Sequence, residues 1–221
     1  MWTVVQAHSK ARGFFPIAGN IERLRPSDGM KGKCMQRPMN SLWFRLMALE
    51  YRLKADKDLQ FRLLEEAGVH MGMTVLDFGC GPGRYTVPAA RIVGAEGRVY
   101  AVDVHPLAIQ MTKRAAARAG LTNINLTRSD RATGLLSESA DVVLLHDALH
   151  DVDEKGSVLS ELCRVLKPEG RLSYRDHSLQ GERLLSLMRA SGFQLSKETA
   201  TQLLFVKSSP RRASPPRGSQ R

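Results

Sequence analysis

Three cysteines in 221 residues, Cys34, Cys80 and Cys163, are too few and too scattered for a disulfide framework or a thiolate metal centre. Their scarcity points to a reducing compartment and a cytoplasmic protein. A chain of this length buries enough surface to need no covalent or metal staple. Long apolar runs are missing as well. No stretch approaches a membrane span, and no apolar segment follows a basic start as in a secretory leader. Acidic residues are short of basic ones, 22 against 33, and the formal net charge of +11 would suit a nucleic-acid or anionic-surface binder. The excess sits at the two ends. Residues 1–40 carry seven basic and two acidic side chains, and residues 207–221 carry five basic and none acidic. The span 41–206 keeps 21 basic against 20 acidic, which is nearly neutral.

What the ends lack in pattern the middle supplies. Residues 1–40 are broken by Gly13, Pro16, Gly19, Pro26, Gly29, Gly32 and Pro38, and read as an irregular basic segment. SSPRRASPPRGSQR cannot bury enough surface to offset chain entropy, so 207–221 reads as a disordered basic tail. From 41 to 206 the periodicity predicts one domain. Leu42, Leu46, Leu49 and Leu53 recur at helical spacing after the caps Asn40 and Ser41, and a second helix ends at Gly68. Strands and helices then alternate. MTVLDFG, GRVYAVDV, INLTRSD, DVVLLHD and RLSYRD read as strands; RYTVPAARIVG, the segment from Pro106 to Gly120, SVLSELCRVL up to Pro168, and ERLLSLMRASG read as helices. FQLSKET and TQLLFVK, separated by almost nothing, read as a hairpin. The expected fold is α/β: a doubly wound, mostly parallel seven-stranded sheet ending in an antiparallel hairpin, with its ligand site at the carboxyl ends of the strands.

At that edge the first strand runs into Asp77-Phe-Gly79-Cys-Gly81-Pro-Gly83. Glycines between strand and helix let the backbone approach a ligand that a Cβ would block, although a tight structural turn uses them too. The second strand ends in Asp103, placed to accept from both hydroxyls of a ribose. A dinucleotide fingerprint needs a further glycine where this chain has Arg84 or Thr86, and so does not fit.

The spacing instead resembles the D-x-G-x-G-x-G motif of class I S-adenosylmethionine-dependent methyltransferases. VYAVDVHPLAI, Ser129-Asp130, DVVLLHDALHDV and LCRVLKPEGRL resemble that superfamily's later motifs, and the likeness runs from Met73 to Lys207. Its texture is nearest to small-molecule enzymes of the ubiquinone/menaquinone and arsenite type. The resemblance implies a Rossmann-like fold and S-adenosyl-L-methionine as cofactor. It places Gly79, Gly81 and Gly83 beneath the methionine part, and Asp77 near its amino group. It places Asp103 on the ribose, Val104 on the adenine, Asp130 on the adenine amino group with Ser129 and Arg131 beside it, and His146 by the methionine end. It also makes 41–68, with Trp43, Phe44, Met47, Leu49 and Tyr51, a lid over the substrate.

Methyl transfer from a sulfonium is an in-line displacement that alignment alone accelerates strongly, so no metal is expected. A base is needed where the acceptor must lose a proton. His150 is the candidate, among His146, Asp147, Asp151, Tyr174, Asp176 and His177, each of which also reads as an ordinary loop or capping residue. Cys34 is a candidate thiol for a soft acceptor such as a metalloid. The near-neutral middle favours a small-molecule acceptor over nucleic acid. An RNA or protein methyltransferase guided by basic tails, and a noncatalytic cofactor-binding protein, are the alternatives.

Overall fold

The computed structural model describes residues 40–53 and 56–208. The basic segment before Asn40, Cys34, the side chain of Tyr51 and the tail beyond Ser208 lie outside the described residues. Two helices lead in, α1 (Ser41–Leu53) and α2 (Lys57–Ala67). There follow β1 (Thr74–Phe78), α3 (Thr86–Val93), β2 (Arg98–Asp103), α4 (Pro106–Arg118), β3 (Ile124–Arg128) and β4 (Ala140–His146). A 3-10 turn (Leu149–Asp151), α5 (Lys155–Val165), β5 (Leu166–Arg175), α6 (Gly181–Ala190), β6 (Phe193–Glu198) and β7 (Leu203–Lys207) complete the order.

The seven strands form one sheet in the order β3-β2-β1-β4-β5-β7-β6. β1 to β5 pair in parallel, and β7 runs antiparallel between β5 and β6. The sequence pattern explains the layering. Along β4 the apolar residues alternate, so Val142 and Leu144 pack with Leu63, Leu64, Ala90 and Val93 of α2 and α3. Val143 and Leu145 face the opposite way, onto Val158, Leu159 and Leu162 of α5 and Leu184 and Met188 of α6. A truncation such as Leu162→Ala in this layer is expected to cost about 2–5 kcal/mol. The order of connection reverses between β1 and β4, so the crevice at their carboxyl ends is where such a sheet holds a ligand.

Three expectations change. β5 starts at Leu166, not after Gly170, because the residue before Pro168 is held extended and the helix ends early. The β4–β5 register slips there: Ala140 pairs with Leu166 but Val142 with Arg171. No helix joins β3 to β4; residues 129–139 are irregular. In α1 the regular leucine stripe is not the buried one. Leu42, Leu46 and Leu49 are 65%, 47% and 51% exposed, whereas Phe44 is 4% exposed and packs with Ala48, Met47 and Ala108. Asn40 does cap the helix, its side-chain oxygen accepting from the Leu42 amide at 2.9 Å.

Candidate active site

The cofactor half is built on the turn from β1 to α3. Gly79, Gly81 and Gly83 take φ of 78°, 52° and 86°. A Cβ on Gly79 would lie 2.3 Å from that of Ala148, and one on Gly83 would lie 3.0 Å from the Thr112 side chain. A Cβ on Gly81 would meet nothing within 4 Å. Gly79 therefore lets the β1 turn close against the β4 turn, Gly83 lets α4 pack on the loop, and Gly81 alone faces open space. The loop is tied down from two sides. The Gly81 amide donates to Asp103 Oδ2 at 2.9 Å, and the Thr112 hydroxyl donates to the Gly81 carbonyl at 2.9 Å.

Asp103, at the end of β2, accepts a second backbone bond on Oδ1, from the His105 amide at 2.7 Å. Each oxygen thus keeps a lone pair for a further donor, and a ribose diol supplies two. Burial pushes its carboxyl upward, opposed by these two amides. Asp77 is buried, with one oxygen taking the Thr86 hydroxyl at 2.5 Å. Burial pushes it up to about 7, against the Thr86 bond and with the charge of Asp103. His105 caps α4 through Nδ1, which accepts from the Leu107 amide, and its ring stacks on Phe44 with centroids 4.1 Å apart. Helix α1 is thereby anchored two residues from Asp103. Val104 is half-buried beside it, and Ser129, Asp130 and Arg131 follow β3, with Asp130 and Arg131 exposed and Ser129 Oγ accepting from the Arg131 amide. These residues fit an adenosine-bearing cofactor: an open cradle at Gly81, an acceptor pair at Asp103, and polar side chains at the β3 end.

His146 sits deeper than the sequence suggests. Its ring is buried edge-on to Tyr85, and Nε2 lies 2.7 Å from the Ser173 hydroxyl. Burial, with the charges of Arg175 and Arg84, lowers its pKa to about 3, so it stays neutral. Tyr174 is likewise packed in the core, its hydroxyl donating to the Leu179 carbonyl at 2.7 Å.

A second polar cluster lies at the ends of β4 and β5. His150 Nδ1 is 3.0 Å from Asp176 Oδ2, and its Nε2 is 3.4 Å from Asp151. The His177 ring meets the His150 ring edge-on at 4.5 Å, and Asp147 lies 3.8 Å from both His177 and Arg175. Burial lowers the His150 pKa, but the Asp176 bond and the charges of Asp151, Asp176 and Asp147 outweigh it and raise it. Ligand atoms of His150, Asp176 and His177 lie within 4.8 Å of one another. Thr86 and Thr112 carry no cue in the sequence pattern, because their roles depend on which helix packs over the glycine loop. Cys80 is buried, and burial raises its thiol; Cys163 is partly buried on α5.

A doubly wound sheet with a glycine cradle and a ribose-spaced carboxylate is the architecture of a nucleotide-binding fold, and a polar cluster adjoins it at the ends of β4 and β5. Residues 69–207 match the model of a methyltransferase domain family, and the chain belongs to that family. It is 30% identical over 125 residues to the ubiquinone/menaquinone biosynthesis C-methyltransferase UbiE of Marinomonas sp. (strain MWYL1), covering 56% of this chain and 50% of that one. It is 32% identical over 114 residues to the aklanonic acid methyltransferase DauC of Streptomyces sp. (strain C5), covering 51% and 52%. The chain thus spans about half the length of these relatives. The fold matches the crystal structure of an S-adenosylmethionine-dependent methyltransferase from Aquifex aeolicus with TM-score 0.64, 22% identity and coverage of 76% and 97%. It also matches a TehB-like enzyme from Corynebacterium glutamicum with TM-score 0.61, 16% identity and coverage of 76% and 100%. Among the described residues no helix is long and apolar enough to cross a membrane.

Proposed function

We propose that this protein is an S-adenosylmethionine-dependent methyltransferase that acts on a small molecule held between the cofactor and the ends of β4 and β5. The observation that carries this reading is the adjacency of two halves: the loop after β1 meets the loop after β4 at Gly79 and Ala148, and two residues on from Ala148 is His150. The near-neutral span 41–206 and the names of two relatives, one for ubiquinone/menaquinone biosynthesis and one for aklanonic acid, support a small molecule over nucleic acid.

The bound cofactor supplies a methyl group already activated on a sulfonium. Gly79, Gly81 and Gly83 would form the loop under its methionine part, and Asp77 would help to hold its amino group. Asp103 accepts the ribose hydroxyls and Val104 packs on the adenine. Asp130 accepts from the adenine amino group, flanked by Ser129 and Arg131. His146, neutral and buried, supports the floor at the methionine end. His150 takes the proton that the acceptor loses.

Titration calorimetry with S-adenosylhomocysteine tests the cofactor half. Two hydrogen bonds to an ionised acceptor are at stake, so Asp103→Ala is expected to weaken binding at least about 10-fold. Unchanged affinity would remove Asp103 from the site. Release of S-adenosylhomocysteine across a metabolite panel then reads the acceptor; turnover on RNA or protein alone would overturn the small-molecule reading.

A further inference from the structure

His150 and Asp176 say more about the acceptor than a base at the right place would. Asp176 is fully buried at the end of β5, and all of its acceptor capacity is used. Oδ1 takes the amides of Ser178 at 2.9 Å and Leu179 at 3.4 Å, and Oδ2 takes the His150 amide at 3.1 Å and the His150 ring at 3.0 Å. An ionised carboxylate offers about four lone-pair sites, so a cation would have to displace one of these donors. The donors hold the carboxyl below its usual range in spite of burial. A group that only accepts requires the hydrogen on Nδ1 of His150. The neutral imidazole therefore presents its lone pair at Nε2, on the side of Asp151. The Asp151 side chain is 52% exposed, so an acceptor can take its place at little desolvation cost.

We infer that Asp176 is a positioning residue that fixes His150 as a base at Nε2, and that the methyl acceptor carries an acidic proton on its reacting atom. Phenolic or enolic hydroxyls, and carbons between two carbonyl groups, belong to this class. Tertiary amines, thioethers and trivalent arsenic do not, since a lone pair that attacks directly gains nothing from an aligned imidazole. In the step, the reacting atom of the acceptor bonds to the methyl carbon as the methyl–sulfur bond breaks. The electron pair of that bond stays on sulfur, and the acceptor's proton passes to Nε2. The inference rests on the methyl-transfer reading above and narrows its substrate.

The imidazole nitrogens report it directly. Full-length protein with 15N-labelled histidine, with and without S-adenosylhomocysteine, is followed by long-range 15N–1H correlation across pH, with His150→Gln assigning the signal. The groups facing this ring are Asp176 and His177 from the end of β5, Asp147 from the end of β4, and Asp151 beside it. Lys155 at the start of α5 reaches the His150 carbonyl at 3.4 Å. The expected result is a neutral ring protonated at Nδ1, and in Asp176→Asn a lower titration midpoint and loss of that tautomer preference, with S-adenosylhomocysteine affinity unchanged. Phenols, naphthohydroquinones and 1,3-diketones are expected to be methylated, with a rate that rises with pH and falls about 100-fold or more in His150→Gln. A ring protonated at Nε2, or an Asp176→Asn spectrum like the wild type, would overturn the positioning role. So would stoichiometric Zn2+ or Mn2+ binding that shifts both His150 and His177. Turnover confined to dimethylaniline, thioethers or arsenite, or turnover of neither group, would overturn the acceptor class. Failure of S-adenosylhomocysteine to bind the wild-type sample would instead remove the methyl-transfer reading, and this inference with it.

Discussion

Gly81 and Gly83 share a positive φ and differ in what surrounds them, which separates binding from stability at adjacent glycines. Gly81→Ala adds a methyl into open space, so its stability cost is that of the left-handed backbone, about 1–2 kcal/mol, while the methyl occupies the cradle. Gly83→Ala adds the 3.0 Å contact with Thr112 to the same backbone cost. Calorimetry and thermal melts should therefore show a larger loss of S-adenosylhomocysteine affinity in Gly81→Ala and a larger fall in Tm in Gly83→Ala. Asp77 makes a pH prediction. Its folded pKa, raised to about 7, exceeds the unfolded value of 3.8, so the folded state holds the proton longer. Stability from this group accordingly falls as pH rises from about 4 to about 7 and is flat above, by at most about 1.4 kcal/mol per unit. Asp77→Asn should melt higher than the wild type at pH 8 and close to it only near pH 4, and should bind the cofactor less well. The places of the glycines in the turn after β1 and of Asp103 at the end of β2 were legible, because the strand and turn patterns around them are local. The depth of His146 was not, because it depends on the Tyr85 ring that covers it.

Between elements, the β6–β7 turn is joined to α2 and β5 through Gln202. Its Nε2 donates to the Leu63 carbonyl at 2.9 Å and to Glu66 at 3.2 Å, and its Oε1 accepts from the Ser173 hydroxyl, the group that also meets His146. Two acceptors on one end fix the amide's orientation by chemistry. Burial pushes Glu66 up, but the donors Thr199, Thr201 and Gln202, with the charge of Lys197, hold it below its usual range. Gln202→Leu removes the acceptor of the buried Ser173 hydroxyl, which keeps only His146, and a donor to the Leu63 carbonyl, at about 1–3 kcal/mol, and calorimetry should show Tm lower by roughly 2–12 °C. A change confined to Glu66→Gln should be milder, since an amide oxygen still accepts. None of this was legible in TQLLFVK, which reads only as one strand of a hairpin; the partners of Gln202 lie about 30 to 140 residues away in the chain. The strands and helices themselves were legible, since alternation along β4 and the stop at Gly68 are local. The α1 leucines misled because helical spacing names a face without saying which face is covered, and Phe44 against His105 decides that.

For the whole molecule, the position of charge bears on what the enzyme acts upon. Of the five basic residues from 207 onward, Lys207 ends β7 and pairs with Glu138 at 3.2 Å, so it belongs to the sheet. Arg211, Arg212, Arg217 and Arg221 remain beyond it. If the acceptor is a small molecule bound between the cofactor and His150, these arginines contribute to polyanion affinity and nothing to the site. Removing residues 209–221 should then leave S-adenosylhomocysteine affinity, Tm and small-molecule turnover unchanged. Binding to poly(U) at about 20 mM salt should weaken, and the slope of log K against log salt should shrink by up to about 3, the value for four released counterions on a single strand. At about 150 mM salt neither form should bind appreciably. Retention of poly(U) affinity and slope after the deletion would locate the nucleic-acid contact elsewhere in the chain. Methylation of that RNA at the higher salt would then place the acceptor among polymers, because an active site reached through screened contacts alone must recognise the polymer by shape or base.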